Sequence, residues 1–206
     1  MQARSNLAAW TVRARNEVYT SNGDFTAASA IETVATRPAA LALDDTHVYY
    51  AESGPSGRVM RRVHAGQTPL VVGQGMDGGV STDLFNGVAA IAAGATHVVW
   101  VDANGVYRKL TTSDAAFADG PATALDTTIK DGLDVLIDDA KRKAYVFTSG
   151  GRLHVLPLDG GPAEEIAGVP AVCTTGLGMA HEDDPGGTSD PYVYLACASS
   201  ILRVMK

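Results

Sequence analysis

The sequence predicts an all-β protein: a β-propeller of about five four-stranded blade repeats in a single domain, with the terminal blades incomplete. Three observations predict it. Short alternating apolar–polar segments recur along the 206 residues, separated by Gly- and Asp-containing turns. No apolar stripe of helical period runs longer than two turns. A common pattern returns at near-constant spacing: Val18, Val59, Val106, Leu153 and Ile201 each open a strand after a tight turn, at spacings of 41, 47, 47 and 48 residues.

The other strands of each unit follow in order. First strands are read in "PAALALDD", "GVAAIAAG", "GLDVLIDD" and "GLGMAHED". Second strands are "LAAWTV", "HVYYAE", "HVVWVD", "KAYVFT" and "YVYLAC", which align Trp10, Tyr50, Trp100, Val146 and Leu195. Third strands begin at the five residues above, with Arg61, Arg108 and Arg203 in one column, read as a solvated basic face. Fourth strands are "AIETVAT", "TPLVVGQ", "PATALDT" and "PAEEIAG". A lone four-stranded meander cannot bury both of its faces. Stacking twisted meanders around an axis buries them against neighbours and leaves only short edges. The repeats are placed at residues 1–37, 38–86, 87–131, 132–175 and 176–206. The chain is read as starting inside a blade near Leu7, with residues 1–6 too short for a full inner strand, and as stopping at a third strand near Lys206. Five irregular blades, or part of a ring of six or seven, both fit. Open sheet edges favour self-association.

"HVYYAES" and "HVVWVDANG" resemble the YWTD and NHL-type blade, in which an aromatic strand ends in a turn and a G-x-V-x-R strand follows. "GRLHVLPLDGGPAEEIAG" is similar to the blade ending of bacterial propellers of this kind. The resemblance covers nearly the whole chain. It implies the fold and leaves the function open, because propellers host unrelated activities.

Candidate site residues follow from the expected placement of strands and loops. Ala40, Ala89, Asp134 and Gly178 are read as one channel-facing column, opposite Val88, Leu133 and Leu177, which are expected between blades. Asp134 is the carboxylate among small residues. It binds a cation or polar ligand in the channel, or bonds to water or backbone amides at the axis. Loops entering the first strands offer Arg37, Asp83, Asn86, Lys130 and Asp131 at one mouth. The longest, Gly78 to Gly87, carries Leu84 and Phe85, which form a binding lip or plug a gap between blades. Acidic turns at Asp44-Asp45, Asp138-Asp139 and His181–Asp184 lie on the opposite mouth, where they form a rim that attracts divalent cations or, as turn residues, cap local amides. "DDPGGTSD" lacks the central Gly and closing Glu of an EF-hand loop. Among the five histidines no pair has metal-ligand spacing; His47 and His97 are one repeat position. The sequence has no G-x-S-x-G, P-loop or G-x-G-x-x-G motif.

Composition narrows the classes. A net charge of −7 speaks against a nucleic-acid partner. No apolar run reaches the roughly 18 residues of a membrane helix. "MQARSNLAAW" shows no signal peptide, although Met1 is compatible with a chain trimmed of its leader. Cys173 precedes an inner strand and Cys197 sits in the next strand of the same blade; the two either form a disulfide or remain thiols, and a bridge needs Cα atoms within about 7 Å. A disulfide favours an exported, periplasmic or extracellular protein. The reading leans to a non-catalytic binding scaffold, with a protein or small polar ligand at a channel mouth, no cofactor, and self-association through sheet edges. The alternative is a propeller enzyme resembling gluconolactonase-like hydrolases or virginiamycin B lyase. The lactonase-like members hold a divalent cation in the channel with several carboxylate and amide side chains; Asp134 is one candidate where several are needed.

Overall fold

The computed structural model describes residues 2–4, 7–22, 28–33, 38–52, 59–63, 70–73, 87–111, 122–166, 178–180, 191–197 and 200–206. Nineteen strands make five antiparallel sheets among them. Sheet I holds β1 (Gln2–Arg4), β2 (Leu7–Val12), β3 (Glu17–Asn22) and β4 (Ala28–Thr33). Sheet II holds β5 (Pro38–Leu43), β6 (His47–Glu52), β7 (Val59–Val63) and β8 (Leu70–Gly73). Sheet III holds β9 (Ala90–Ala93), β10 (His97–Asp102), β11 (Gly105–Leu110) and β12 (Thr123–Asp126). Sheet IV holds β13 (Gly132–Asp138), β14 (Lys143–Thr148), β15 (Leu153–Pro157) and β16 (Glu164–Ile166). Sheet V has three strands, β17 (Gly178–Ala180), β18 (Tyr192–Ala196) and β19 (Ile201–Met205). Every sheet is a simple meander. Two sequence expectations are corrected. Residues 2–4 do form an inner strand, because β2 offers a free edge and Gln2, Ala3 and Arg4 pair with Ala9, Ala8 and Leu7. The small-residue column is also offset by one in sheet III, where the unbroken β9–β10 ladder sets Ile91 opposite Trp100: Ala90, not Ala89, pairs one step beyond that rung.

The ladders place the repeat residues in one register. Trp10, Tyr50, Trp100, Val146 and Leu195 face Tyr19, Met60, Tyr107, His154 and Leu202. One rung on, Val18, Val59, Val106, Leu153 and Ile201 face Thr11, Ala51, Val101, Phe147 and Ala196. Strand alternation sends these two rungs to opposite faces. Each sheet therefore has a leading face, carrying the first rung, and a trailing face, carrying the second.

Packing follows that division. Ala9 and Val18 on the trailing face of sheet I meet Leu43, Val48, Tyr50 and Met60 on the leading face of sheet II. Tyr49, Ala51 and Val59 meet Ile91, Val98, Trp100 and Tyr107 of sheet III. Val99, Val101 and Val106 meet Val135, Ile137, Ala144 and Val146 of sheet IV. Tyr145, Phe147, Leu153 and Val155 meet Val193, Leu195, Leu202 and Val204 of sheet V. Four buried layers of this kind supply the main stabilisation, since apolar burial contributes about 25 cal/mol per Å².

Polar contacts tie each sheet to the next. Arg13 Nη2 donates to the Ala39 carbonyl at 3.1 Å, and Arg61 Nη1 to the Thr111 carbonyl at 3.3 Å. The Ala95 amide donates to Asp139 Oδ2 at 2.7 Å. Gly94 sits so close to Asp139 that an added Cβ would lie 2.5 Å from its Oδ1. Arg61 is 2% exposed, which overturns its reading as a solvated residue. Its position on the trailing face, opposite Tyr49, carries it into the II–III layer. Arg203, in the same column, is exposed and lies over the Tyr192 ring at 4.3 Å.

Candidate functional site: the inner strands and the two mouths

Because each sheet is a meander, the turns between second and third strands lie at the same end as the loops that enter the first strands. The turns between first and second strands lie at the other end. The functional residues expected from the sequence divide among the inner strands and these two mouths.

Asp134 lies on the inner strand β13, paired with Phe147 just after a bulge that begins at Gly132. Its Oδ1 accepts from the Val135 amide at 2.9 Å. Its Oδ2 accepts from the Met179 amide at 2.6 Å, on the inner strand of sheet V. Of the alternatives the sequence left open, this is the geometry of bonding to backbone amides. Burial pushes its carboxyl above the usual carboxylate range, and the two amides partly oppose that. Leu133, expected between blades, is 40% exposed, because the bulge turns it outward. Val88 is buried in the II–III layer, as expected of it.

At the mouth where loops enter the first strands, Asp131 is exposed. Its Oδ2 accepts from Ser149 Oγ at 3.0 Å, and its carbonyl accepts from the Ser149 amide at 2.9 Å. The loop entering β13 is thus fastened to the β14–β15 turn, with Lys130 exposed beside it. Asp131 and Asp134 are three residues apart and bind different partners. Arg37, Asp83, Phe85, Asn86 and Cys173 lie outside the described residues. Cys197 is disulfide-bonded and buried in the IV–V layer.

Asp102, at the β10–β11 turn of the same mouth, was not singled out from the sequence. Its Oδ1 accepts from the Asn104 amide at 2.7 Å and the Gly105 amide at 3.1 Å. Its Oδ2 is buried without a hydrogen-bond partner among the described residues. Burial raises its pKa, against the two amides. "VDANG" is a turn sequence, and only packing around the turn makes its first carboxylate unusual. Asp126, the last residue of β12, accepts from the Thr128 amide and hydroxyl and from the Ile129 amide. Those bonds hold its pKa below the ordinary value despite partial burial.

At the opposite mouth Asp44 and Asp138 cap local backbone, while the turn at residues 181–184 lies outside the described residues. Asp44 Oδ1 accepts from the Thr46 and His47 amides, both at 2.7 Å, and Oδ2 accepts from the Tyr49 hydroxyl at 2.6 Å. Burial raises its pKa, but these donors outweigh burial and hold it low. The same burial and the neighbouring Asp44 push the Tyr49 phenol far up, against the lowering effect of Arg61. Asp138 occupies the matching place in sheet IV and accepts from the Lys141 amide at 3.0 Å. Its Oδ2 pairs with Lys206 Nζ at 2.8 Å, with both side chains fully buried. Nearby Tyr145 is pushed up to about 12, by burial first and by Asp138 second. No sequence signal marks Lys206; it is the final residue, just past β19.

Among the described residues no group of three or more His, Cys, Asp or Glu is gathered that could hold a metal. Those residues also contain no helix long and apolar enough to cross a membrane.

No protein-family model matches the chain, and no curated protein matches it significantly. Solved structures do. The nidogen–laminin complex, which includes a YWTD propeller, aligns at TM-score 0.69 and 13% identity, over 97% of this chain and 72% of that one. The WD40 β-propeller domain of Doa1 aligns at TM-score 0.66 and 10% identity, over 97% of this chain and 62% of that one. A structural genomics protein of unknown function from Bacteroides thetaiotaomicron aligns at TM-score 0.64 and 15% identity, over 93% of this chain and 50% of that one. At these identities the likeness is one of fold, and the fold is a β-propeller.

Proposed function

We propose that the protein is a non-catalytic propeller scaffold that presents the loops and turns of one channel mouth to a protein partner. The observation that carries this reading is the use made of Asp134. Both of its oxygens are taken by backbone amides, one on its own strand and one on the next sheet. Such a carboxylate fastens inner strands together and has little capacity left for a ligand. The binding surface then falls to the mouth that holds Asp131, Lys130 and the Asp102 turn, in keeping with the placement of function on loops over a rigid scaffold. A protein partner is supported at the level of fold: the nidogen propeller was solved in a complex with laminin, and the Doa1 neighbour is a WD40 domain. The disulfide at Cys197 suits an oxidising, extracytoplasmic compartment.

The test is thermal unfolding of the chain in calcium, in magnesium and in EDTA. The scaffold reading expects the same midpoint in all three. A metal-dependent rise, through preferential binding to the folded state, would replace it with the channel-cation enzyme reading.

A further inference from the structure

The β10–β11 turn sets a reactive pair of residues beside a group that restrains it. Asn104 is followed by Gly105. In that order the backbone nitrogen of the glycine attacks the Asn carboxamide readily, because no side chain shields it. The reaction needs only the chain and water. The Gly105 nitrogen gives up its proton and bonds to Asn104 Cγ. The side-chain nitrogen leaves with that proton as ammonia, which closes a succinimide. Water then opens the ring at either carbonyl and leaves aspartate or isoaspartate.

Packing fixes the glycine. A Cβ at Gly105 would lie 2.3 Å from the Asp126 carbonyl oxygen and 2.9 Å from Thr127 Cα, both backbone atoms at the end of β12. Only glycine fits beside Asn104, so protection has to come from elsewhere in the turn.

Asp102 supplies it. Its Oδ1 accepts from the Gly105 amide at 3.1 Å and from the Asn104 amide at 2.7 Å. The residue is 2% exposed, and no donor among the described residues meets its Oδ2. The attacking form of Gly105 is its amide anion. That anion would form against a buried carboxylate, where water screens little and like charges repel strongly. The opposite role, in which Asp102 takes the proton as a general base, fails on acidity: a carboxylate is far too weak a base for a backbone amide. Water for the second step is at hand, since Ala103 is exposed and Asn104 half-buried.

We propose that Asn104 and Gly105 form a latent self-modification site, which Asp102 holds shut in the folded chain. Isoaspartate there adds a methylene to the backbone of the turn. It breaks the Asp102–Gly105 rung, two rungs from the stacked rings of Trp100 and Tyr107, and so remodels this mouth irreversibly. The inference stands whether or not the mouth binds a partner.

The experiment incubates the chain at neutral pH and follows aspartate and isoaspartate at position 104 by peptide mass spectrometry. Folded wild type is expected to convert Asn104 far more slowly than the same chain in urea. Asp102→Ala is expected to convert it about tenfold faster than wild type, since the like-charge contact is lifted. Asp102→Asn drops the charge and keeps an acceptor, and is expected to fall between the two. Circular dichroism checks folding; where Asp102→Ala loses the native spectrum, Asp102→Asn carries the test. Gly94→Ala, which strains the III–IV rim, is expected to match wild type at position 104. A folded wild type as fast as the chain in urea overturns the proposal. So does a tested Asp102 variant no faster than wild type; a slower one would make Asp102 a base. Gly94→Ala as fast as the Asp102 variant overturns it as well, because loosening of the fold would then set the rate.

Discussion

Asp134 joins two sheets through one side chain. Replacing it with Ala leaves the Val135 and Met179 amides without their acceptor. An unpaired buried donor costs about 1–3 kcal/mol, and that loss is expected in urea unfolding of Asp134→Ala. Asp134→Asn keeps one carbonyl acceptor and should lose less; equal stability of both variants and wild type would refute the clamp. The carboxyl is held above its unfolded-state value of 3.8, so ionisation works against folding. That contribution is intact below pH 3.8 and falls away as pH rises through the folded-state value. His97 acts in the opposite direction. Burial, followed by Arg108 and Arg142, lowers its pKa from 6.5. Its contribution is present above pH 6.5 and is lost as pH falls through the lowered value. The midpoint is therefore expected to drop on acidification below pH 6.5, and to drop less in His97→Gln. An unchanged pH profile in that variant would refute the assignment.

At the scale of the element, each layer joins one trailing face to the next leading face, with polar ties at its rim. Gly94 is the tight point of the III–IV rim. A methyl there meets Asp139 Oδ1 at 2.5 Å and Ile137 Cγ2 at 2.8 Å. Overpacking of this sort costs about 1–3 kcal/mol, so Gly94→Ala is expected to lower the unfolding free energy by that amount, with the native fold kept. At the IV–V rim, Lys206→Met strands Asp138 in a fully buried place. Breaking one partner of a buried pair costs about 3–5 kcal/mol. Hydrogen exchange should show the loss first in β17–β19, the sheet that Lys206 fastens. The double change Lys206→Met with Asp138→Leu is expected to recover part of it. A double variant no better than the single one would mean that the pair contributes through packing alone.

For the whole molecule, sheet V has three strands among the described residues where the other sheets have four. Its attachment rests on the IV–V apolar layer, the Asp134 and Lys206 contacts, and the disulfide at Cys197. Cys173 is the chain's other cysteine. A bridge between them closes roughly two dozen residues and contributes about 3 kcal/mol by restricting the unfolded chain. Reduction is expected to lower the melting midpoint and to free two thiols. Two titratable thiols in the unreduced protein would refute the pairing.

The sequence by itself determined the meander, the register of second strands against third strands, and the propeller. The spacing of Val18, Val59, Val106, Leu153 and Ile201 reads directly as strand ladders, because alternation and turn chemistry act over a few residues. It also marked Asp44 and Asp138 as turn residues, a role that short-range amide bonding settles. It misplaced Leu133, which a bulge turns outward, and missed the inner strand at residues 2–4, which exists only by pairing with β2. Arg61 and Arg203 look alike in the sequence, yet one is buried in the II–III layer and the other lies on a bare face. Asp102, the Asp138–Lys206 pair and the Asp134 bridge to Met179 were equally illegible. Each depends on groups that lie far apart in the chain or on what packs around a turn. Only the stacking of one sheet on the next decides which charges are buried, which amides they meet and which face is left open.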